Sequence, residues 1–311
     1  MLDLTKKQIV VTGGAGFLGS YIIDKLWKRG CPNVFVPRSK RYDLRTQDGT
    51  IRLYDDYEPD VVIHCAAHAG GIGLNQEKPG ELFFDNIAMG INVIHQAMLH
   101  KIEKLTILGS VCAYPKFSPT PFEEKNLWDG YPEETNAPYG IAKKALLVQA
   151  QAYRQQYGLN TIYLLPVNLY GPRDRFDLMH GHVIPVLVRR FTEAKATGAK
   201  SVTLWGTGNA SREFLYVEDA AEAVILATER YNKSEPVNVG TGREIAIHDL
   251  ATLVAKDIGY HGEIVYDSSR PDGQPSRCLD VTKAFTEFGF TACMDFQEGL
   301  KRTIDWYKKN G

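Results

Sequence analysis

Short apolar runs alternate with longer stretches of helical periodicity over the first half of the chain. Gln8–Thr12, Val34–Val36, Asp60–His64, Lys104–Leu108 and Asn160–Pro166 each read as a strand. Asp60-Val61-Val62-Ile63-His64 is almost wholly apolar, the pattern of a strand covered on both faces. Between the first two, Phe17–Arg29 sets Leu18, Ile22, Ile23 and Leu26 at helical spacing, and residues 80–100 also read as a helix. Another helix begins near Pro138, where proline suits the first turn, and stops at Gly158, a favoured residue just past a helix end. This β-α-β-α order predicts an α/β fold of the Rossmann type, a doubly wound parallel sheet. After Pro166 the pattern loosens, which predicts a smaller C-terminal substrate lobe. Val237-Asn238-Val239-Gly240 reads as a strand returned to the first lobe. The expected division is therefore interleaved. Residues 1–166 and about 213–242 form a dinucleotide-binding domain, and about 167–212 and 243–311 form the substrate lobe.

Composition narrows the function classes. Of 311 residues, 44% are hydrophobic and 23% charged, which is ordinary for a soluble globular protein. The net charge of −1 lacks the basic excess of a nucleic-acid-binding surface, so no nucleic-acid partner is expected. No apolar run approaches the ~20 residues that span a bilayer, so no membrane partner is expected either. The first residues carry no secretory pattern, and a cytoplasmic location is expected. Cys31, Cys65, Cys112, Cys278 and Cys293 are scattered without metal-ligand spacing. They are expected to be reduced thiols, and no metal site is expected.

The strongest local signal is Gly13-Gly14-Ala15-Gly16-Phe17-Leu18-Gly19, a G-x-x-G-x-x-G turn between a strand and a helix. Glycines let the backbone turn tightly against a pyrophosphate, and the helix N-terminus supplies free N–H groups and partial positive charge. An NAD enzyme usually carries an acid at the end of the next strand, to accept from the ribose 2′-hydroxyl. Here Pro37-Arg38-Ser39-Lys40-Arg41 stands there instead. Guanidinium groups suit a 2′-phosphate, so Arg38 and Arg41 predict NADP(H) as cofactor. Asp43 is expected near the adenine.

Tyr139-Gly140-Ile141-Ala142-Lys143 places a phenol and an ammonium on one helix face. The cation is expected to favour the phenolate and so to lower the tyrosine pKa. Ser110 closes the preceding strand, at the carboxyl edge where such sheets present ligands. The Ser/Tyr/Lys set with the N-terminal glycine turn resembles the extended short-chain dehydrogenase/reductases over essentially the whole chain. That resemblance implies that Ser110 and Tyr139 bind the reacting oxygen and that Lys143 also holds the nicotinamide ribose. Two residues on, Cys112 would share the face of Ser110 in an extended segment. It is either a buried packing thiol or a proton-transfer base activated by Lys143 and a cationic nicotinamide.

Further segments narrow the resemblance. Ala66–Gly73, Gly109-Ser110-Val111-Cys112-Ala113-Tyr114-Pro115, Pro166–Pro172, His182-Val183-Ile184-Pro185 and Arg212-Glu213-Phe214-Leu215 together resemble the GDP-L-fucose synthases. These are bifunctional GDP-4-keto-6-deoxy-D-mannose 3,5-epimerase-4-reductases. By this resemblance Cys112 and His182 exchange the C3 and C5 protons, with His180 as a rival for the acid. It also implies that Arg190, Trp205, Arg212 and Asp272 hold the GDP-sugar. Leu108, Pro166, Asn168, Leu169 and His182 would complete the cofactor contacts. The helices near 80–100 and 139–157 would form a homodimer interface. Other readings are a reductase or epimerase of another GDP-keto-sugar, a 4-epimerase, a 4,6-dehydratase, or a dinucleotide-binding regulator without catalysis. A dehydratase would need an acidic pair after the active-site serine, which Val111-Cys112 does not supply. A regulator of this kind commonly lacks the tyrosine or the lysine, and both are present.

Overall fold

The computed structural model describes all 311 residues. Eleven strands are present: β1 Ile9–Thr12, β2 Val34–Phe35, β3 Val61–His64, β4 Lys104–Leu108, β5 Thr161–Pro166, β6 Asn168–Tyr170, β7 Ser201–Trp205, β8 Ser211–Tyr216, β9 Val237–Val239, β10 Glu244–Ala246 and β11 Glu263–Asp267. The helices are α1 Phe17–Lys28, α2 Gln47–Tyr57, α3 Ile72–Glu77, α4 Pro79–Leu99, α5 Ala137–Tyr157, α6 Val183–Thr197, α7 Val217–Arg230, α8 Ile247–Ile258, α9 Thr282–Phe288 and α10 Phe296–Asn310.

Six strands form one sheet in the order β2-β1-β3-β4-β5-β9, all parallel. Every residue of β1, β3 and β4 is buried, as expected when helices cover both faces. The helices pair off accordingly, α4 with α5 and α1 with α7. The strand order reverses between β1 and β3, so the crevice outside their carboxyl ends is where an open α/β sheet takes its ligand. Thr12, His64, Leu108 and Pro166 mark that edge.

The helix ends follow local chemistry. Pro138 lies in the first turn of α5, and Gly158 ends the helix with φ +72°, in the left-handed region. Gly198 and Gly259 end α6 and α8 in the same conformation.

A second, smaller core gathers Phe191, Leu187, Leu250, Val254, Leu300 and Ile304 from α6, α8 and α10. It packs beside two short sheets, β10-β8-β6 and β11-β7. The return of the chain to the large sheet takes the form of β9, paired with β5 from Leu164↔Val237 to Pro166↔Val239. One segment departs from the expected division. Leu279, Ala284, Phe288 and Phe290 belong to the large core, not to the small one. The reason is that α9 packs on α7 and β9, covering apolar surface that the returned strand would otherwise expose.

The chain therefore crosses between the lobes repeatedly, and Glu213 of β8 stands at one crossing. It is fully buried. Its carboxylate accepts N–H bonds from Thr241, from Gly242 at 2.9 Å and from Leu279 at 2.6 Å. Its backbone N–H donates to Arg277 at 2.9 Å, and its carbonyl accepts from Asn168 at 2.9 Å. Burial pushes the carboxyl above the usual carboxylate range, and the three N–H donors oppose that rise.

Candidate active site

The glycine turn follows β1 and opens α1. Gly13 has φ +69°, a left-handed conformation, and a Cβ there would meet the Ala66 backbone nitrogen at 2.7 Å. No side chain caps the N-terminus of α1, which leaves its first N–H groups for a ligand. A groove of about 1100 Å³ runs over this turn, lined by Gly13, Ala15, Gly16, Phe17, Leu18, Gly19, Arg38, Lys40, Asp43, Arg45, Asp174 and His182, among others. Gly14 lies behind it, against the Val36 side chain.

Arg41 departs from expectation. Its guanidinium pairs with Asp56 at 2.6 Å and lies 5.2 Å over the Tyr42 ring, away from the groove. Arg41 N–H donates to Arg38 carbonyl in a turn, and that turn points the two side chains apart. Lys40 and Arg45 line the groove in its place, with Arg45 held by Asp43 at 2.8 Å.

A second cavity, of about 390 Å³, adjoins the groove and lies between the lobes. Ser110, Cys112, Tyr139, Pro166, Asn168, Leu169, His182, Arg190, Trp205, Arg212 and Asp272 all line it. His182, the residue just before the first turn of α6, lines both spaces, and its side chain makes no capping hydrogen bond to the helix. His180 lines neither. Its ring is held by Glu77 at 2.9 Å and Asp177 at 3.5 Å.

Helix α5 is seated against the sheet edge by three contacts. The Lys143 ammonium donates to the Leu108 carbonyl at 3.0 Å, and the Tyr163 hydroxyl donates to the Lys143 carbonyl at 2.6 Å. Gly140 packs onto the Cys112 carbonyl, where a Cβ would collide. These contacts hold Tyr139 beside Ser110, whose hydrogen bond favours the phenolate. Burial is nevertheless the larger effect and, with the Cys112 charge, pushes the Tyr139 phenol above its usual range. The expected lowering by Lys143 is not found. Its ammonium lies 5.7 Å from the tyrosine ring and is bound to Leu108, and burial pushes it down to about 8.

Cys112 reaches the cavity by a different route from the extended strand expected of it. Val111–Ala113 is a single 3₁₀ turn, capped by Ser110, whose Oγ accepts the Cys112 N–H at 3.1 Å. A serine side chain competing for the backbone in this way bends the chain. The cation set on the sulfur also differs from expectation. It is Arg277, with Nη1 3.6 Å from Cys112 Sγ, and not Lys143. Asn136 Oδ1 lies 3.9 Å from the same sulfur.

At the far end, Arg190 donates to the Thr203 carbonyl at 2.7 Å, and Arg212 to the Asp272 carbonyl at 2.9 Å. The Asp272 carboxylate accepts from Thr207 N–H at 2.7 Å and Thr207 Oγ1 at 2.8 Å, shaping the turn after Trp205. Burial, followed by the Arg277 charge, pushes the Arg212 guanidinium down to about 9. An anionic ligand here would offset that cost.

Sequence reasoning missed Arg277, Asn136 and Asp174. Asp174 is buried, and one of its carboxylate oxygens has no hydrogen-bond partner. Burial raises its pKa, and nearby His182 opposes the rise. It lies two residues past the Pro166–Pro172 stretch, and nothing in the spacing marked it.

Comparison with known proteins agrees with this geometry. Residues 9–240 match the NAD dependent epimerase/dehydratase family. The chain is 41% identical over 303 residues to GDP-L-fucose synthase 1 of Arabidopsis thaliana, covering 97% of this chain and 94% of that protein. It also resembles a GDP-6-OMe-4-keto-L-xylo-heptose reductase from C. jejuni, with a TM-score of 0.91, 29% identity and 99% of both chains covered. A GDP-L-fucose synthetase from Naegleria fowleri bound to NADP gives a TM-score of 0.88 at 26% identity, covering 97% of this chain and 94% of that one.

The lowered Lys143 ammonium makes a prediction about stability. Between pH 8 and 10.5 the unfolded chain holds this proton more fully than the folded one, so Lys143 makes stability rise with pH across that window. Denaturant unfolding of the native protein and of Lys143→Met, at pH 7 to 10, should show the native protein gaining relative to the variant. A constant difference would mean that the buried ammonium keeps its ordinary affinity for protons.

Proposed function

The chain belongs to the NAD dependent epimerase/dehydratase family and, within it, to the GDP-L-fucose synthases, and from that membership we propose that it converts GDP-4-keto-6-deoxy-D-mannose to GDP-L-fucose with NADPH. The reaction inverts C3 and C5 and reduces C4. The observation that carries this reading is the meeting, in one cavity, of a reducing set and an epimerising pair: Ser110 and Tyr139 with Cys112 and His182.

The groove suits NADPH. The left-handed Gly13 and the uncapped start of α1 fit a pyrophosphate, and Arg38 with Lys40 fits a 2′-phosphate. When bound, the cofactor supplies the hydride for C4. The protein supplies proton transfer and orientation. A C4 ketone acidifies the C–H bonds on both flanking carbons. Cys112 removes a proton there, and the C–H electron pair moves toward the ketone, leaving an enolate oxygen. Ser110 and Tyr139 are the donors for that oxygen. His182 returns a proton to the opposite face. The raised pKa of Tyr139 keeps the phenol protonated at neutral pH, the form that reduction of the ketone consumes. Arg190 and Arg212 are the cations for the diphosphate.

The exposed face of α4 and α5 supports a homodimer. Phe84, Ile91 and Leu99 form an apolar stripe on α4, and Val148 of α5 is half exposed beside it. Gln149 of α5 reaches the Ile91 carbonyl at 3.3 Å, so the two helices present one surface. Such a patch marks an association site.

Three outcomes test this reading. With GDP-4-keto-6-deoxy-D-mannose in deuterated water, the native protein should place deuterium at C3 and C5. Cys112→Ala should abolish that exchange. His182→Asn should exchange without completing inversion, and Tyr139→Phe should lose roughly 10²-fold or more in NADPH oxidation. Native-rate exchange by Cys112→Ala would reduce Cys112 to a packed thiol. For the cofactor, Arg38→Ala should weaken NADPH binding while leaving NADH binding nearly unchanged, as read by titration of cofactor fluorescence. For the dimer, light scattering should find twice the 34.8 kDa chain mass, falling to the chain mass in Phe84→Asp/Ile91→Asp. A native particle of 34.8 kDa would remove the dimer.

A further inference from the structure

Arg277 is 5% exposed, lies outside every motif of the cofactor turn and the Ser/Tyr/Lys set, and has its Nη1 3.6 Å from Cys112 Sγ. A guanidinium is always charged, and burying it without a partner anion is costly. Yet no carboxylate lies within ion-pairing distance of it. Its other contacts are neutral: Nε donates to Gln274 Oε1 at 3.0 Å, and Nη1 lies 3.5 Å from Asn168 Oδ1. Gln274 is itself fixed, donating to the carbonyls of Pro115 at 2.9 Å and Lys116 at 3.2 Å. The backbone is fixed as well, since the Arg277 carbonyl accepts from Glu213 N–H. The fork is thus held rigidly with one end on the sulfur.

We propose that Arg277 is the positioning residue of the proton-transfer base: its guanidinium is the counter-ion of the Cys112 thiolate and holds the sulfur where it meets the substrate carbon. This deepens the functional reading above and rests on it. The thiolate takes the proton, the C–H electron pair moves into the enolate, and the sulfur becomes a neutral thiol. Arg277 stays cationic throughout. Its charge favours the anionic sulfur before the transfer, and Asn136 Oδ1, 3.9 Å away, can accept the S–H afterwards. Other groups face the same sulfur. Arg212 of β8 adds positive charge and Tyr139 of α5 is close enough to feel the sulfur's charge, while the Glu133 carboxylate, just before α5, acts on Arg212 and is bound to Thr135 and Asn136. Arg212 is bonded to the Ser211 and Asp272 carbonyls, whereas Arg277 makes the direct contact.

The test is the pH dependence of Cys112 alkylation by iodoacetamide, read peptide by peptide by mass spectrometry. It is measured on the native protein, Arg277→Lys, Arg277→Gln and Arg277→Met, each checked for NADPH binding and for its unfolding transition. The neutral variants should move the midpoint of Cys112 alkylation up by about one pH unit or more, roughly a tenfold loss of thiolate at a given pH. Their deuterium exchange at C3 and C5 should fall at least tenfold at neutral pH and recover as pH rises. Arg277→Lys keeps the charge without the fork and should keep a midpoint near the native one. If a neutral variant fails to fold, the comparison of Arg277→Lys with the other neutral variant decides. An unchanged Cys112 midpoint in a folded neutral variant overturns the proposal, and so does an equal shift in Arg277→Lys. Failure of the functional reading looks different: the native protein would then exchange no deuterium, while the alkylation midpoints would still respond to position 277.

Discussion

A single fully buried carboxylate, that of Glu213, joins the two lobes. Three backbone N–H groups from two distant segments converge on it, and its own peptide group binds Arg277 on one side and Asn168 on the other. A buried carboxylate with no donors would be costly, and each buried N–H left without an acceptor costs about 1–3 kcal/mol. The arrangement satisfies both sides at once. It also determines where the active-site cavity closes, because the Arg277 segment forms part of its wall and is held through this residue.

The carboxyl edge of the large sheet does the remaining positioning. Strand β4 ends at Leu108, and the chain then bends at once because Ser110 takes the Cys112 N–H. Helix α5 comes down onto that bend with Gly140 at the point of contact, and the Lys143–Leu108 and Tyr163–Lys143 hydrogen bonds fix its height. Serine, cysteine and tyrosine are brought together by hydrogen bonds between side chains and backbone groups, which set the fixed distances that proton transfer needs.

Much of this was legible in the sequence, for identifiable reasons. The strand and helix order, the glycine turn and the Tyr139/Lys143 spacing are short-range patterns, and short-range geometry alone realises them. Cys112 was placed in the right pocket by a wrong local premise, since a serine side chain overrode the extended conformation. Arg41 shows the complementary limit: a charge next to a ligand-binding turn need not face it, and here a turn hydrogen bond directs it to Asp56. Arg277 gave no local signal at all. Its approach to a cysteine 165 residues away depends on Glu213 and Gln274, and no spacing rule covers that. Likewise, the apolar residues of α9 carry no mark of which core they join. That was decided by surface left uncovered on α7 and β9.

The interleaving of the lobes has a consequence for how such a chain can be divided. The strand β9 and the segment from Leu279 to Phe290 belong to the large core although they follow parts of the small lobe in sequence. No contiguous fragment therefore contains one lobe without part of the other. A chain cut after β5 would leave that strand's outer edge unpaired, an aggregation-prone template. The C-terminal remainder would carry β9 and α9 without the sheet they cover. Unlike enzymes in which a cofactor domain and a substrate domain are strung in series, this one cannot exchange one half for another by recombination at a single point. Its substrate range can change only by replacements scattered within the fold.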